Sequence, residues 1–343
     1  MMHTFPKSMK HLHPKQILFV TTDYSYFTSP VTSALQKLGF EVTVFDYYKP
    51  NFLSRFIGLA GTLGLASPKS AGHKVARLMN QALIHLVSKL KPKYLLVIKG
   101  ETITPKTIDT INNLEVTTIN WFGDGLFYWR WMKKTASHYS FFINNGLDSY
   151  KQLAKFGVKN YYLEYAAPHF DLKEKVKKIY PLTFVGQHTL RRERYFKGLK
   201  DLGLKIWGYA QWQQSSLKDI ASGPVSVTEA HHIIRQSHIV VNLLTGTIKT
   251  QPEEINIRTL ETLGLKTFLL VQDYPHLHRY FKVGQELITF KNPQDLRRKA
   301  LYYLKHNRER EAIAAAGYRR ILRDHTFAKR LKDLFKIVNR KSK

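Results

Sequence analysis

Short runs of consecutive apolar residues alternate along the chain with longer segments whose apolar residues recur every three or four positions. QILFVT (Gln16–Thr21), EVTVFD (Glu41–Asp46), YLLVIK (Tyr94–Lys99), VTTIN (Val116–Asn120), YSFFIN (Tyr139–Asn144) and YYLEY (Tyr161–Tyr165) read as strands. Their nearly continuous apolar character is that of strands covered on both faces of a parallel sheet. A second series follows at LTFVG (Leu182–Gly186), LKIWG (Leu204–Gly208), HIVVNLL (His238–Leu244), KTFLLV (Lys266–Val271) and ELITF (Glu286–Phe290). Helical spacing fills the gaps: Pro30–Leu38 closes at Gly39, His73–Leu90 carries Leu78, Met79, Leu83, Leu86, Val87 and Leu90 on one stripe, and the signal is helical from Pro293 nearly to the end. Strands joined by segments of helical length predict βαβ crossovers, hence an α/β chain with two Rossmann-like doubly wound domains facing across a cleft at the carboxyl ends of the strands.

The charged run FDLKEKVKKIY (Phe170–Tyr180) follows Pro168 and lacks strand character, which suits a linker. The predicted division is a basic extension over 1–15, a first domain over 16–169, the linker over 170–180, a second domain over 181–325, and a final helix with a basic tail over 326–343. One segment stands apart. Phe52–Lys74 is apolar and Gly-rich, then basic; it reads either as a buried helix with its connecting loop, or as an element lying in a membrane interface or an acceptor-side loop.

Composition narrows the chemistry. The 343 residues are 43% hydrophobic with 13% aromatics, enough to bury two cores. Lys and Arg number 54 against 25 Asp and Glu, and the net charge of +29 is spread over both halves, so the surface field favours anionic partners: phosphorylated metabolites, nucleic acid or an anionic membrane surface. With no cysteine, disulfide frameworks, thiolate nucleophiles and cysteine-ligated zinc are excluded. No run approaches the roughly 18 apolar residues of a membrane span, and no secretory core follows the basic amino terminus, so the expected location is cytoplasmic, either soluble or peripherally attached at the inner face of the membrane.

Three constellations carry candidate chemistry. In TFVGQHTLRRERYFKG a strand ends at Gly186 and a helix starts near Leu190, with Arg191, Arg192, Arg194 and Lys197 on its first turns. Glycine permits close backbone approach, and arginine forks match phosphate oxygens, so a diphosphate suits this junction. In QPEEINIRTLETLG, Glu253 and Glu261 bracket seven residues including Asn256 and Arg258, and a carboxylate there can accept two hydroxyls of a ribose or a sugar. In INWFGDGLFYWRW, Asp124 sits between two glycines after a strand, as a catalytic side chain or a helix cap, with Trp121 among the aromatics that could form a stacking wall. Lys99, Gly100 and Glu101 follow another strand and are expected to line the cleft. No histidine spacing suggests a metal, and the P-loop, G-x-G-x-x-G and G-x-S-x-G patterns are absent.

From Leu182 to Leu334 the order of motifs, FVG with its arginine cluster, LKIWGYAQW, HIVVNLL, NIRTLETLGLKTFLLV, YFKVGQELITF and EREAIAAAGYRRILRDHTFAKR, resembles the CgeB-type glycosyltransferase-like family, two-domain GT-B proteins whose carboxyl-terminal domain is related to group 1 glycosyltransferases. The resemblance implies a nucleotide-diphospho-sugar donor held mainly by the second domain and an unidentified acceptor bound mainly by the first. It implies Glu261 on the donor ribose, Glu253 as the earlier glutamate of the pair, and Arg191, Arg192 or Lys197 on the diphosphate. It further implies a final helix crossing back to the first domain. Neither a cofactor nor a metal is expected, because cationic side chains and helix amino termini can stabilise the departing diphosphate. If the anomeric centre inverts, Asp124 is the candidate base. The alternatives are a basic nucleic-acid-binding protein and a catalytically silent GT-B relative that binds a sugar nucleotide.

Overall fold

A computed structural model describes residues 15–22, 26–47, 68–123, 125–244 and 253–340, with only the backbone described at 68–72 and 125. Asp124, most of the apolar segment beginning at Phe52, the extension up to Pro14 and the last three residues of the tail lie outside the described residues.

The first run of elements is β1 (Lys15–Thr21), α1 (Thr28–Lys37), β2 (Phe40–Asp46), α2 (Pro68–Leu90), β3 (Tyr94–Ile98), α3 (Pro105–Asn112), β4 (Thr117–Phe122), α4 (Trp129–Thr135), β5 (Phe141–Asn144), α5 (Leu147–Lys155) and β6 (Tyr161–Tyr162). The second run is β7 (Tyr180–Val185), α6 (Leu190–Phe196), β8 (Leu204–Trp207), β9 (Ala221–Ser222), α7 (Val227–Arg235), β10 (Ser237–Asn242), α8 (Ile257–Gly264), β11 (Phe268–Gln272), β12 (Ile288–Phe290), α9 (Pro293–Lys305), α10 (Asn307–Asp324) and α11 (Phe327–Asn339). They form two parallel six-stranded sheets, ordered β2-β1-β3-β4-β5-β6 and β12-β11-β10-β7-β8-β9.

The strand expectations hold with shifted ends. YYLEY pairs only at Tyr161–Tyr162, while β7 starts at Tyr180, inside the stretch read as a linker. Helix α2 begins five residues before His73, at Pro68, a residue whose fixed φ and missing N–H suit a first helical turn. Strand β9 has two residues and leaves no periodicity to read. Thr326 caps α11, as its position predicts, by accepting from the Lys329 N–H.

By packing, the chain divides into Met1–Trp121 with Trp131–Phe142, and Phe122–Arg130 with Ile143–Lys343. In the first unit β3 is buried at every position, as are Val31 and Leu35 of α1 and Met79, Leu83 and Val87 of α2. In the second, the sheet buries both faces: Ile239, Val241, Phe268 and Leu270 enter one core with Leu182 and Phe184, while Val240, Leu269 and Val271 enter another with Leu260 and Leu263. Alternate residues of one strand thus serve two cores, which is why these strands read as continuous apolar runs.

A seam closes the second unit. The Ala167 N–H donates to the His325 carbonyl at 2.8 Å, and the Phe327 N–H donates to the Ala167 carbonyl at 3.2 Å. Between those bonds His325 is buried against Phe281 and Tyr280, with Arg330 donating to its Nδ1 at 3.2 Å. Burial, then the charges of Arg330 and Arg320, push the imidazole down to about 4. The folded value lies below the ordinary 6.5, so this contribution to stability is complete above 6.5 and lost as pH falls from 6.5 toward 4. Urea titrations at pH 7 and pH 5 should show a loss of about 2 kcal/mol in the wild type, and His325→Asn should flatten most of that difference. An unchanged pH slope in the variant would refute the assignment.

Candidate functional site

In the second sheet the chain runs outward from β7 to β9, returns to the other side of β7, and continues from β10 to β12. The loops after β7 and β10 therefore leave in opposite directions and open a crevice at their carboxyl ends, the place where open α/β sheets bind ligands.

One wall is the β7 exit. The Gly186 N–H donates to the Trp207 carbonyl at 2.9 Å, and its own carbonyl accepts from Trp212 Nε1 at 2.9 Å. Gly208 faces that carbonyl so closely that a Cβ would lie 2.1 Å from the oxygen, so only glycine lets the β7 and β8 exits meet. Thr189 then caps α6 by accepting from the Arg192 N–H.

Arg192 is not on the surface. It is 5% exposed; Nε and Nη2 donate to the Leu243 carbonyl at 3.0 and 2.7 Å, Nη1 donates to the Gln187 carbonyl at 2.7 Å, and the guanidinium lies over the Phe184 ring. The diphosphate role expected of Arg192 is corrected to that of a strut joining the β7 and β10 exits. Burial, then Arg191, bring its guanidinium down to about 10, so it remains charged at neutral pH. Arg191 is half-buried, donates to the Leu244 carbonyl at 3.3 Å and packs over Tyr195. Arg194 and Lys197 are exposed, Lys197 at 3.8 Å from Glu193. Glu193 accepts from the Ser216 hydroxyl and N–H and contacts His188 at 2.9 Å, and these hydrogen bonds hold its carboxyl down near 2.

The other wall is α8. Asn242, at the end of β10, donates to the Asn256 Oδ1 at 3.2 Å and to the Thr259 hydroxyl at 3.1 Å, while Asn256 accepts from the Arg258 N–H and caps the helix. Glu261 is 4% exposed, with Oε1 2.9 Å from His231 Nε2 and Oε2 2.6 Å from Arg258 Nη1; the Phe170 ring packs edge-on against His231. Residues 242–244 thus link Arg191 and Arg192 of α6 to Asn256, the cap of the helix that carries Arg258 and Glu261. Glu253 does not join Glu261: it is ion-paired at 2.9 Å with Lys151 of α5, and its carbonyl accepts from the Leu147 N–H.

The first unit holds the candidates Lys99, Gly100, Glu101 and Trp121. Lys99 and Gly100 have consecutive positive φ values of 63° and 78° at the exit of β3. This strained turn is held by Asn120 donating to the Lys99 carbonyl at 2.9 Å and by the Gly100 N–H donating to the Tyr47 hydroxyl at 3.3 Å. Tyr47 in turn donates to Glu101 at 3.1 Å. Trp121 is fully buried in β4; it is a core residue, and the stacking-wall role expected of it is corrected. Sequence reasoning missed His231, Asn242 and Ser216, and it missed a buried acid cluster in the second unit. There Glu164 contacts both His276 and the Tyr162 hydroxyl, and Tyr162 lies 2.9 Å from Tyr280. Burial first, then Glu164, hold the Tyr162 phenol protonated.

Residues 191–336 match a family model described as glycosyl transferase-like. No sequence among the curated proteins matches the chain. Among solved structures the chain is similar to the sucrose-phosphate synthase of Thermosynechococcus elongatus, at 9% identity over 94% of this chain and 99% of that one, with a TM-score of 0.64. It is similar to Anabaena HepE in complex with UDP-glucose, at 10% identity over 94% and 99%, with a TM-score of 0.60. S. aureus MnaA with UDP follows at 14% identity over 96% and 98%, with a TM-score of 0.54. The architecture is the GT-B fold.

Removing the Arg192 guanidinium takes its Nε and Nη2 donors from the buried Leu243 carbonyl. Arg192→Ala is expected to lower unfolding free energy by about 3 kcal/mol, read in urea titrations. A loss below about 1 kcal/mol would return Arg192 to the surface role first expected of it.

Proposed function

We propose that the chain is a glycosyltransferase of the CgeB type, taking a nucleotide-diphospho-sugar in the β7/β10 crevice of its second unit and passing the sugar to an acceptor hydroxyl. One observation carries the reading: the segment that matches a glycosyl transferase-like family builds, at the strand-switch crevice of a GT-B fold, a buried carboxylate held between an arginine and a histidine. In this reading Glu261 accepts the ribose hydroxyls with the lone pairs that His231 and Arg258 leave over. Arg191 and Arg258, with the amino end of α8, face the diphosphate.

The bond between the anomeric carbon and the diphosphate oxygen breaks while the acceptor oxygen bonds to that carbon and its proton passes to a base. Charge grows on the departing diphosphate, so cations fixed beside it lower the barrier without a metal. Asp124 is the base if the centre inverts. Because HepE is in complex with UDP-glucose and MnaA with UDP, uridine diphosphate sugars are the first donors to test. The charge of +29 supports an acceptor on an anionic cell-envelope surface.

A thermal-shift series with UDP-, GDP-, ADP- and dTDP-sugars tests the reading. One nucleotide family is expected to raise the midpoint by several degrees, and that increment should vanish in Glu261→Gln and shrink in Arg191→Ala, each measured against its own ligand-free midpoint. No shift with any donor, beside steeply salt-dependent binding to RNA or DNA, would replace the proposal with the nucleic-acid reading. Binding without release of nucleoside diphosphate would identify the silent relative.

A further inference from the structure

The opposite end of the second sheet carries a feature that the donor reading does not use. Strands β7, β10 and β11 are adjacent, and their amino ends lie together. A pocket open to solvent is lined there by Lys178, His238, Lys266, Phe268, Arg310 and Glu311. Lys178 precedes β7, His238 is the second residue of β10, Lys266 precedes β11, and Arg310 comes from the first turn of α10.

These groups are built in rather than hung on the surface. Arg310 is 4% exposed, donates through Nη1 to the Tyr303 carbonyl, and donates through Nη2 to His238 Nδ1 at 3.0 Å. A guanidinium only donates, so Nδ1 is the acceptor and the neutral ring of His238 carries its proton on Nε2. Lys178 is half-buried and donates to the Thr267 hydroxyl at 3.3 Å, which leaves two ammonium N–H groups. Lys266 is exposed at the rim and held at a φ of 54°. The lining carries three permanent or near-permanent cations and the exposed Glu311 as its one carboxylate.

Cations gathered without matching carboxylates repel one another, and burial removes the water that would screen them. The effect is visible in the lysine: burial, then Arg310 and Arg235, bring Lys178 down to about 8, with Glu311 offsetting only part. An anion at the centre of the group would remove this frustration. Oxyanions suit it best, since the lining supplies a guanidinium, an ammonium and an imidazole N–H as donors against a single exposed carboxylate.

We propose that this pocket binds a phosphate group, as orthophosphate or a phosphomonoester, at the end of the sheet opposite the donor crevice. The proposal is independent of the glycosyl-transfer reading. Its test is a calorimetric titration of the full chain with inorganic phosphate at fixed ionic strength, with chloride as the reference. Saturable binding is expected in the wild type and in Glu261→Gln. Lys266→Ala, at an exposed position that leaves the fold intact, and Lys178→Gln should each weaken it about tenfold. No saturable binding in the wild type, affinity unchanged in both lysine variants, or affinity lost in Glu261→Gln would each overturn the assignment. Vesicles containing phosphatidic acid distinguish the source: competition with free phosphate that depends on Lys266 makes the group a lipid headgroup, and absence of competition makes it a soluble phosphate.

Discussion

The second unit depends on one buried guanidinium. Arg192 leaves α6, passes beneath the loop after β7 and binds the carbonyl of Leu243 with two of its nitrogens while Nη1 holds Gln187. Two backbone segments that diverge at the strand switch are thereby pinned in a low-dielectric setting, where charge-assisted hydrogen bonds are strong and their loss is costly. Leu243 is preceded by Asn242, whose amide reaches the cap of α8, and followed by Leu244, whose carbonyl takes Arg191. The position of the Glu261 helix relative to the Gly186 loop is therefore set by a chain of polar contacts through three consecutive residues. The site has the rigidity of a strut, although both of its walls end in loops.

Much of this fold is legible in the chain because parallel strands buried on two faces have to be apolar at almost every position. That requirement marks β1, β3, β7, β10 and β11 within a residue or two. It weakens where burial is partial: β9 is two residues long with Ser222 exposed and leaves no pattern, and β6 pairs at only two of the five residues that read as a strand. The arginine cluster was legible as a group and misread as individuals. Arg192, Tyr195, Phe196 and Leu199 follow one another at helical spacing, and that stripe would have told the inward arginine from the outward Arg194. Trp121 follows Thr118, Ile119 and Asn120 in a strand buried on both sides, which leaves it no surface to line.

Other features had no local signal. His231 and Glu261 are thirty residues apart, and Glu164 meets His276 at a separation of 112, so neither pair can be inferred from spacing. Glu253 shows the reverse error. Its distance from Glu261 along the chain suggested a pair, but the cap at Asn256 starts the helix after it and its carboxylate turns to Lys151. Charge was equally ambiguous in sequence: a net +29 says nothing of where cations are unbalanced, whereas the amino ends of β7, β10 and β11 show one such place.

The seam at Ala167 bears on the order in which the molecule assembles. Its parallel bridge to Thr326 closes a loop of ~160 residues, and the entropy of such a closure must be met before the contact yields anything in return. Contacts of that range form late, after the local βαβ units have condensed. On that ground α11 is expected to dock after those units and to release before them, so that the closing of the fold and the start of its opening would meet at one residue in the middle of the chain.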